Sequence, residues 1–243
     1  MAKIPHNPEE LFEELTNDFR AAFGDDLQSI ILYGSAAGAD YVPGKSDINL
    51  LVTLTDKGIN QLSRAIEPVK RWRKRNVATP LFMTRSYLDS SLDSYPVEFL
   101  NMKQHHRTIF GEDVLAELAF KPDDFRLQIE RELKGKLLLL RSGFLDAEGM
   151  PKQLRGLIGK SLNAFVAAFR ALLYLKGHDI PQGRRDVIKT AADLLKLDTG
   201  VFLKCNDIRE GTDRFTQAEV KSIFDDYLRA VDGLCSYIDT MDA

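Results

Sequence analysis

Cysteine is nearly absent from this chain. Cys205 and Cys235 are the only two in 243 residues, and neither sits in a C-x-x-C pair or beside a histidine at metal-ligand spacing. That excludes a disulfide framework and a structural zinc site, and leaves two reduced, buried thiols as the expectation. Long apolar runs are missing as well. No stretch reaches the roughly 18 consecutive apolar residues of a membrane span, and Met1-Ala2-Lys3-Ile4-Pro5 lacks the apolar core of a signal peptide. The cytoplasm is therefore the expected compartment, with no membrane partner. A charge excess is also lacking: 33 basic against 36 acidic residues leave a net −3, which offers no global attraction to nucleic acid. Nucleic acid is not expected as a partner, and any polyanion contact must be local. What remains, 44% apolar and 28% charged residues, is the composition of an ordinary folded protein.

The pattern along the chain changes near Lys121-Pro122-Asp123-Asp124, so two domains are expected, 1–122 and 123–243. The first mixes helix and strand. Asn7-Pro8-Glu9-Glu10 is a helix start, followed by Leu11, Leu15, Phe19 and Phe23 on one face and Gly24 as a stop. Ile59, Leu62, Ile66, Val69 and Trp72 predict an amphipathic helix to about Arg75. Its basic end, Lys70 to Arg75, reads as a solvated helix terminus and not as a nucleic-acid patch. Thr79 to Met83 reads as a short strand, Ser86 to Ser94 as a short helix or turn, and Tyr95 to Asn101 as a strand opened by Pro96, with Glu98 a lone acid between Val97 and Phe99. Beyond Lys121 everything is helical: a stripe of Phe125, Ile129, Leu133, Leu137 and Leu140, a wider one from Leu154 to Leu173, a third helix from Arg185 to Leu197, and a last helix opened by the capping box Thr216-Gln217-Ala218-Glu219.

Only Ser29 to Thr53 carries a specific chemical grammar. An apolar run, Ile30 to Tyr33, breaks at Gly34-Ser35, crosses a Gly/Pro-punctuated loop and returns as a second strand from Asp47 to Thr53. Gly34 lets backbone approach a polyphosphate, and Ser35 adds a hydroxyl and an amide donor. Side chains alternate on a strand, so Asp47 and Asn49 share a face and can share a divalent metal. Gly44-Lys45-Ser46 is no P-loop, because the glycine that should stand five residues before Gly44 is Ala39 and a strand, not a helix, follows.

Gly34-Ser35, followed by Gly38, Ser46, Asp47 and Asn49, resembles the nucleotidyltransferase signature of the DNA polymerase β-like superfamily, whose antibiotic-modifying branch includes the kanamycin and streptomycin nucleotidyltransferases. Asn49 stands where that signature carries a second acid. The resemblance implies an α+β fold, a nucleotidyltransferase domain with a small mixed sheet followed by an all-α helical bundle. It also implies Mg²⁺ or Mn²⁺ as cofactor and ATP or another nucleoside triphosphate as co-substrate. The implied reaction is transfer of a nucleoside monophosphate, AMP from ATP, to a hydroxyl of a small molecule or protein. Carried over by position, Asp47, Asn49 and Glu98 would be the metal ligands, Asp47 and Glu98 the catalytic pair, and Gly34, Ser35, Lys45 and Ser46 the nucleotide-binding residues. Glu98 also reads as an edge-strand acid pointing into water. With a neutral amide at 49, the alternative is a nucleotidyltransferase-like protein that binds a nucleotide or a protein partner without turnover. His105-His106 does not suit zinc, and His106 or Arg107 lies within reach of a phosphate.

Overall fold

The computed structural model describes residues 4–38, 41–196 and 198–241. The chain divides into two compact units, Met1–Phe120 and Lys121–Ala243.

The first unit opens with a capping box. The Asn7 side chain accepts from the Glu9 amide at 3.0 Å, and the Glu10 carboxylate accepts from the Asn7 amide at 2.9 Å. A 3₁₀ turn over Pro8–Leu11 then runs into helix α1 (Phe12–Phe23). Four strands follow: β1 (Leu27–Tyr33), β2 (Asn49–Leu54), β3 (Leu81–Met83) and β4 (His106–Gly111). They are ordered β3-β2-β1-β4, with β1 antiparallel to β2 and β4, and β2 parallel to β3. Helices α2 (Asp56–Ile59), α3 (Ile66–Arg73), α4 (Arg85–Ser90) and α5 (Pro96–Gln104) fill the connections.

Both faces of the sheet are covered, which is why β1 reads as a continuous apolar run. Ile30, Leu32, Leu50, Val52 and Leu54 pack with Leu15, Phe19 and Phe23 of α1 and with Trp72 of α3. Ile31 and Leu51, one residue out of phase, pack with Leu88 of α4 and with Phe99 and Met102 of α5. Two polar side chains interrupt the central strands and satisfy each other: Ser29 and Thr53 are register partners, fully buried, with their hydroxyl oxygens 2.6 Å apart. The basic end of α3 is tied down as a helix terminus. Arg71 pairs with Asp18, Arg75 with Glu14 at 2.6 Å, and the Trp72 indole N–H donates to Asp18 at 2.8 Å.

Several boundaries differ from the expectation. The helix expected from Ile59 to Arg75 is broken into α2, a 3₁₀ turn over Leu62–Ala65, and α3. β2 starts at Asn49, leaving Asp47 outside it. The largest correction is at Tyr95 to Asn101, which is not a strand: Pro96 starts α5, and β4, ten residues later, takes the place at the sheet edge. Proline at a first helical turn removes no hydrogen bond that the helix would make. Phe99 and Met102, three residues apart, then reach the sheet together.

The second unit is a helical bundle: α6 (Pro122–Asp146), α7 (Pro151–Leu175), α8 (Arg184–Leu195), α9 (Thr199–Glu210) and α10 (Gln217–Asp239). Of the expected third helix, Arg185 to Leu197, the last residue lies outside the described residues. The Thr216/Glu219 capping box is present, and α9 is an addition. By length and composition α7 could cross a membrane, yet Leu154, Ile158, Leu162, Phe165, Phe169 and Leu172 are all buried in the bundle. Aromatic edges close its centre. Phe169 meets Phe202 at 5.0 Å and Phe165 meets Tyr227 at 5.6 Å, both near perpendicular, and the Tyr227 hydroxyl lies 3.0 Å from that of Ser161. Cys205 and Cys235 are buried free thiols.

One ion pair fixes the loop before α10. Arg155 donates to both Asp213 oxygens at 2.6 and 2.7 Å and to the Phe215 carbonyl at 2.8 Å, and the Asp213 side chain is 4% exposed. Burial alone would raise the Asp213 carboxyl, but the Arg155 guanidinium and the Phe215 amide outweigh it and hold it below the usual range. A depressed folded-state value contributes stability that is present above the unfolded value near ~4 and is lost as pH falls through the folded one. Asp213→Asn is therefore expected to cost about 1–3 kcal/mol at neutral pH, and progressively less as pH falls below the ordinary carboxylate range. Melting temperatures of both proteins across that range check it; a constant gap would show that the charge is irrelevant.

Candidate active site

The end of β1 positions the site. In the sheet Tyr33 is flanked by Asn49 of β2 and His106 of β4, giving a row Asn49–Tyr33–His106 across three strands. The chain then turns sharply. Gly34 takes a left-handed φ of +77°, and Gly34 to Ala37 form a single 3₁₀ turn. A Cβ placed on Gly34 would lie 3.5 Å from the Asn49 side-chain amide, so the turn sits against the end of β2. The Gly34 amide is itself engaged, donating to the His105 carbonyl at 2.8 Å. Any backbone donor for a phosphate must therefore come from later in the turn. Burial raises the pKa of the Tyr33 hydroxyl and keeps it protonated.

The loop before β2 is organised by its own serine. The Ser46 hydroxyl accepts from the Val42 amide at 3.0 Å, while the amides of Lys45 and Ser46 donate to the Val42 carbonyl at 3.0 and 2.9 Å. Asn76 reaches across to the Ser46 carbonyl at 2.8 Å. Ser46 thus holds the loop in shape, and Lys45 is exposed. Ile48 is buried on the α1 side of the sheet, so alternation puts Asn49, the first residue of β2, on the other side, the side covered by α4 and α5. Asp47 is exposed and Asn49 half-buried.

Glu98 is not on a strand beside them. It lies in the first turn of α5 and is exposed, while Val97, Phe99 and Leu100 are buried. An acid near a helix N-terminus faces the positive end of the dipole, a sufficient local reason for its place. The strand that runs beside β2, β3, is Leu81-Phe82-Met83 and carries no carboxylate. Among the described residues, no group of three or more His, Cys, Asp or Glu side chains is placed to share a metal ion.

Both basic candidates after α5 are committed elsewhere. The His106 Nδ1 lies 2.7 Å from the Lys103 carbonyl, and its Nε2 lies 3.0 Å from each Asp113 oxygen. Both ring nitrogens of His106 are therefore within hydrogen-bond distance of a protein oxygen. The Asp113 carboxyl would be raised by burial, but His106 and the amides of Leu115 and Ala116 hold it below its ordinary range. Arg107 pairs with Glu9 and lies over the Phe12 ring, on the α1 side of the sheet. Tyr33 and the His106–Asp113 pair went unnoticed in the sequence. The only local signal was the position of Tyr33 directly before Gly34, since the histidine's partners depend on α5 and β4 being adjacent.

No family model matches the sequence, and no curated protein aligns with it significantly. A solved structure does resemble it: the spectinomycin adenyltransferase AAD(9) from Enterococcus faecialis, crystallised with ATP and spectinomycin. The two superpose with a TM-score of 0.54 over 93% of this chain and 100% of that one, at 12% identity. With its small mixed four-stranded sheet followed by a helical bundle, the chain has the α+β fold of a nucleotidyltransferase.

Proposed function

We propose that the protein binds a nucleoside triphosphate at the Gly34-Ser35 turn and transfers its nucleoside monophosphate to a hydroxyl-bearing acceptor. The observation that carries this reading is how near the left-handed turn at Gly34 comes to the Asn49 side chain, which a Cβ on Gly34 would meet at 3.5 Å. It supports treating the turn and the polar end of β2 as one site. The spectinomycin adenyltransferase of like fold was crystallised with ATP and an antibiotic, so ATP is the nucleotide and a small polyhydroxylated molecule the acceptor to try first. In this reading the Ser35 hydroxyl donates to the terminal phosphates, Lys45 offsets their charge from the exposed loop, and Asp47 and Asn49 supply oxygen ligands. One carboxylate and one neutral amide fit a single Mg²⁺ whose remaining ligands are phosphate oxygens and water. They do not fit a pair of ions, since Glu98 stands in the first turn of α5 and not on a neighbouring strand. Bound Mg²⁺ would neutralise charge on the triphosphate.

The single carboxylate also favours a second reading, in which the protein holds Mg²⁺–ATP without turnover. Calorimetry with ATP in Mg²⁺, alongside pyrophosphate release in the presence of candidate acceptors, separates the two. Binding with release supports transfer, and binding without release supports the second reading. If ATP does not bind in Mg²⁺ or Mn²⁺, both fail.

A further inference from the structure

Residues two apart on a strand share a face, so the face of the sheet covered by α4 and α5 carries three rows of side chains across β1 and β2. Ser29 pairs in register with Thr53, Ile31 with Leu51, and Tyr33 with Asn49. Ile31 and Leu51 pack into one cluster with Leu88 and Phe99, and Tyr33 rests against that cluster. The two polar rows behave differently. The Ser29 and Thr53 hydroxyls are fully buried and their oxygens lie 2.6 Å apart, so each supplies the other's partner. Tyr33 and Asn49 stand half-buried side by side, yet among the described residues neither the phenolic hydroxyl nor the side-chain amide has a hydrogen-bond partner. His106 flanks Tyr33 on the other side, but its ring nitrogens are already met by the Lys103 carbonyl and by Asp113. A tyrosine hydroxyl drawn out of water ordinarily finds a partner. This one is left open at the strand end that turns at Gly34.

We infer that the Tyr33 hydroxyl is a binding group for the nucleotide, donating a hydrogen bond to a phosphate oxygen held between the Gly34 turn and Asn49. The inference rests on the nucleotide reading of that turn and adds a residue which that reading does not use. Burial keeps the phenol protonated at neutral pH, and a protonated phenol can donate where phosphate oxygens only accept. Directly opposed residues of an antiparallel pair carry their Cβ atoms about 5 Å apart, so the Tyr33 and Asn49 side chains border one space beside the turn. The ring is already fixed against the apolar cluster, so little side-chain freedom is lost when the bond forms. A hydrogen bond to a charged acceptor is among the strong ones, and its loss should weaken binding on the order of tenfold.

Tyr33→Phe keeps the ring and removes only the hydroxyl. Titration calorimetry of the full chain with ATP and with inorganic tripolyphosphate, both in Mg²⁺, should show the variant binding each about tenfold more weakly than wild type. Its melting temperature should be equal to that of wild type or higher, because the hydroxyl removed leaves no protein partner unsatisfied. If wild type binds ATP and Tyr33→Phe binds it equally well, the inference is overturned while the nucleotide reading stands; if wild type binds no ATP, both fall. A loss seen with ATP and absent with tripolyphosphate would place the hydroxyl on the nucleoside, and a lowered melting temperature would give it a partner within the protein. Either result overturns the inference.

Discussion

Gly111→Ala is expected to destabilise the sheet domain by about 3–5 kcal/mol, an effect in the tail of single-substitution costs. Two terms add at this position. Gly111 has a φ of +75°, a conformation in which any L side chain is strained, and a Cβ there would fall 1.9 Å from the Gln28 carbonyl oxygen and 3.0 Å from the Ser29 Cα. The obstacle is backbone in the central strand. β1 is held on one side by β2 and on the other by β4, and Ser29 is fixed by its buried hydroxyl contact with Thr53. Relief requires β4 to peel away, which takes with it the His106 end that receives the Gly34 turn. Trp72 is the single tryptophan and is buried under α1, so its fluorescence reports this unit, whereas far-ultraviolet ellipticity reports chiefly the helical bundle. The expected result is an early tryptophan transition with most ellipticity retained. Gly24→Ala, with a φ of +55° but nothing within 4 Å of its Cβ, should cost only about 1 kcal/mol. If the two substitutions cost the same, the close approach at Gly111 is not real.

How much of this was legible depended on whether the signal was local. The capping boxes at Asn7 and Thr216, the Gly34 turn and the apolar stripes of α6 and α7 are set by residues within one or two helical turns of each other, and periodicity finds them. Tyr95 to Asn101 failed because two periods fit the same letters. Val97 and Phe99 alternate as on a strand, while Phe99 and Met102 repeat as on a helix, and only the packing against Ile31 and Leu51 decides between them. The true edge strand, His106 to Gly111, opens with the polar residues His106, Arg107 and Thr108, which hide its strand pattern. Helix α9 was missed although Asp198 caps it, because Asn206 is fully buried within its inward face and interrupts the apolar pattern.

The candidate site divides along the same line. Asn49 could be assigned to a face from alternation alone, and Ile48 is buried on the opposite one, but Asp47 precedes β2, where the alternation has not begun. Ser46 is assigned to the nucleotide only by the resemblance. Its bond to the Val42 amide depends on how the loop closes, which no spacing rule reveals. Glu98 was placed by the order of motifs along the chain, and order does not fix which element carries a residue to the sheet.

Asn49→Asp and Asp47→Ala are expected to move Mg²⁺–ATP binding in opposite directions. A second carboxylate on that face adds a formal charge where a hard cation seeks oxygen, so Asn49→Asp should tighten binding ~10-fold, about 1.4 kcal/mol. Asp47 is the one carboxylate proposed for the site, and Asp47→Ala should weaken binding on the order of 100-fold. Neither change threatens the fold: Asp47 is exposed and outside β2, and aspartate matches the size of the half-buried Asn49. The controls separate charge from geometry. In EDTA, Asn49→Asp should bind ATP no better than wild type, because a bare carboxylate repels the triphosphate. In the double variant the gain at position 49 should shrink, since two ligands of one ion are not additive. Titration calorimetry of the four proteins with and without Mg²⁺ reads all of this. An Asn49→Asp protein that binds no tighter in Mg²⁺, or equally tighter without it, would remove position 49 from the metal shell. An Asp47→Ala protein that binds like wild type would move the nucleotide away from the end of β2.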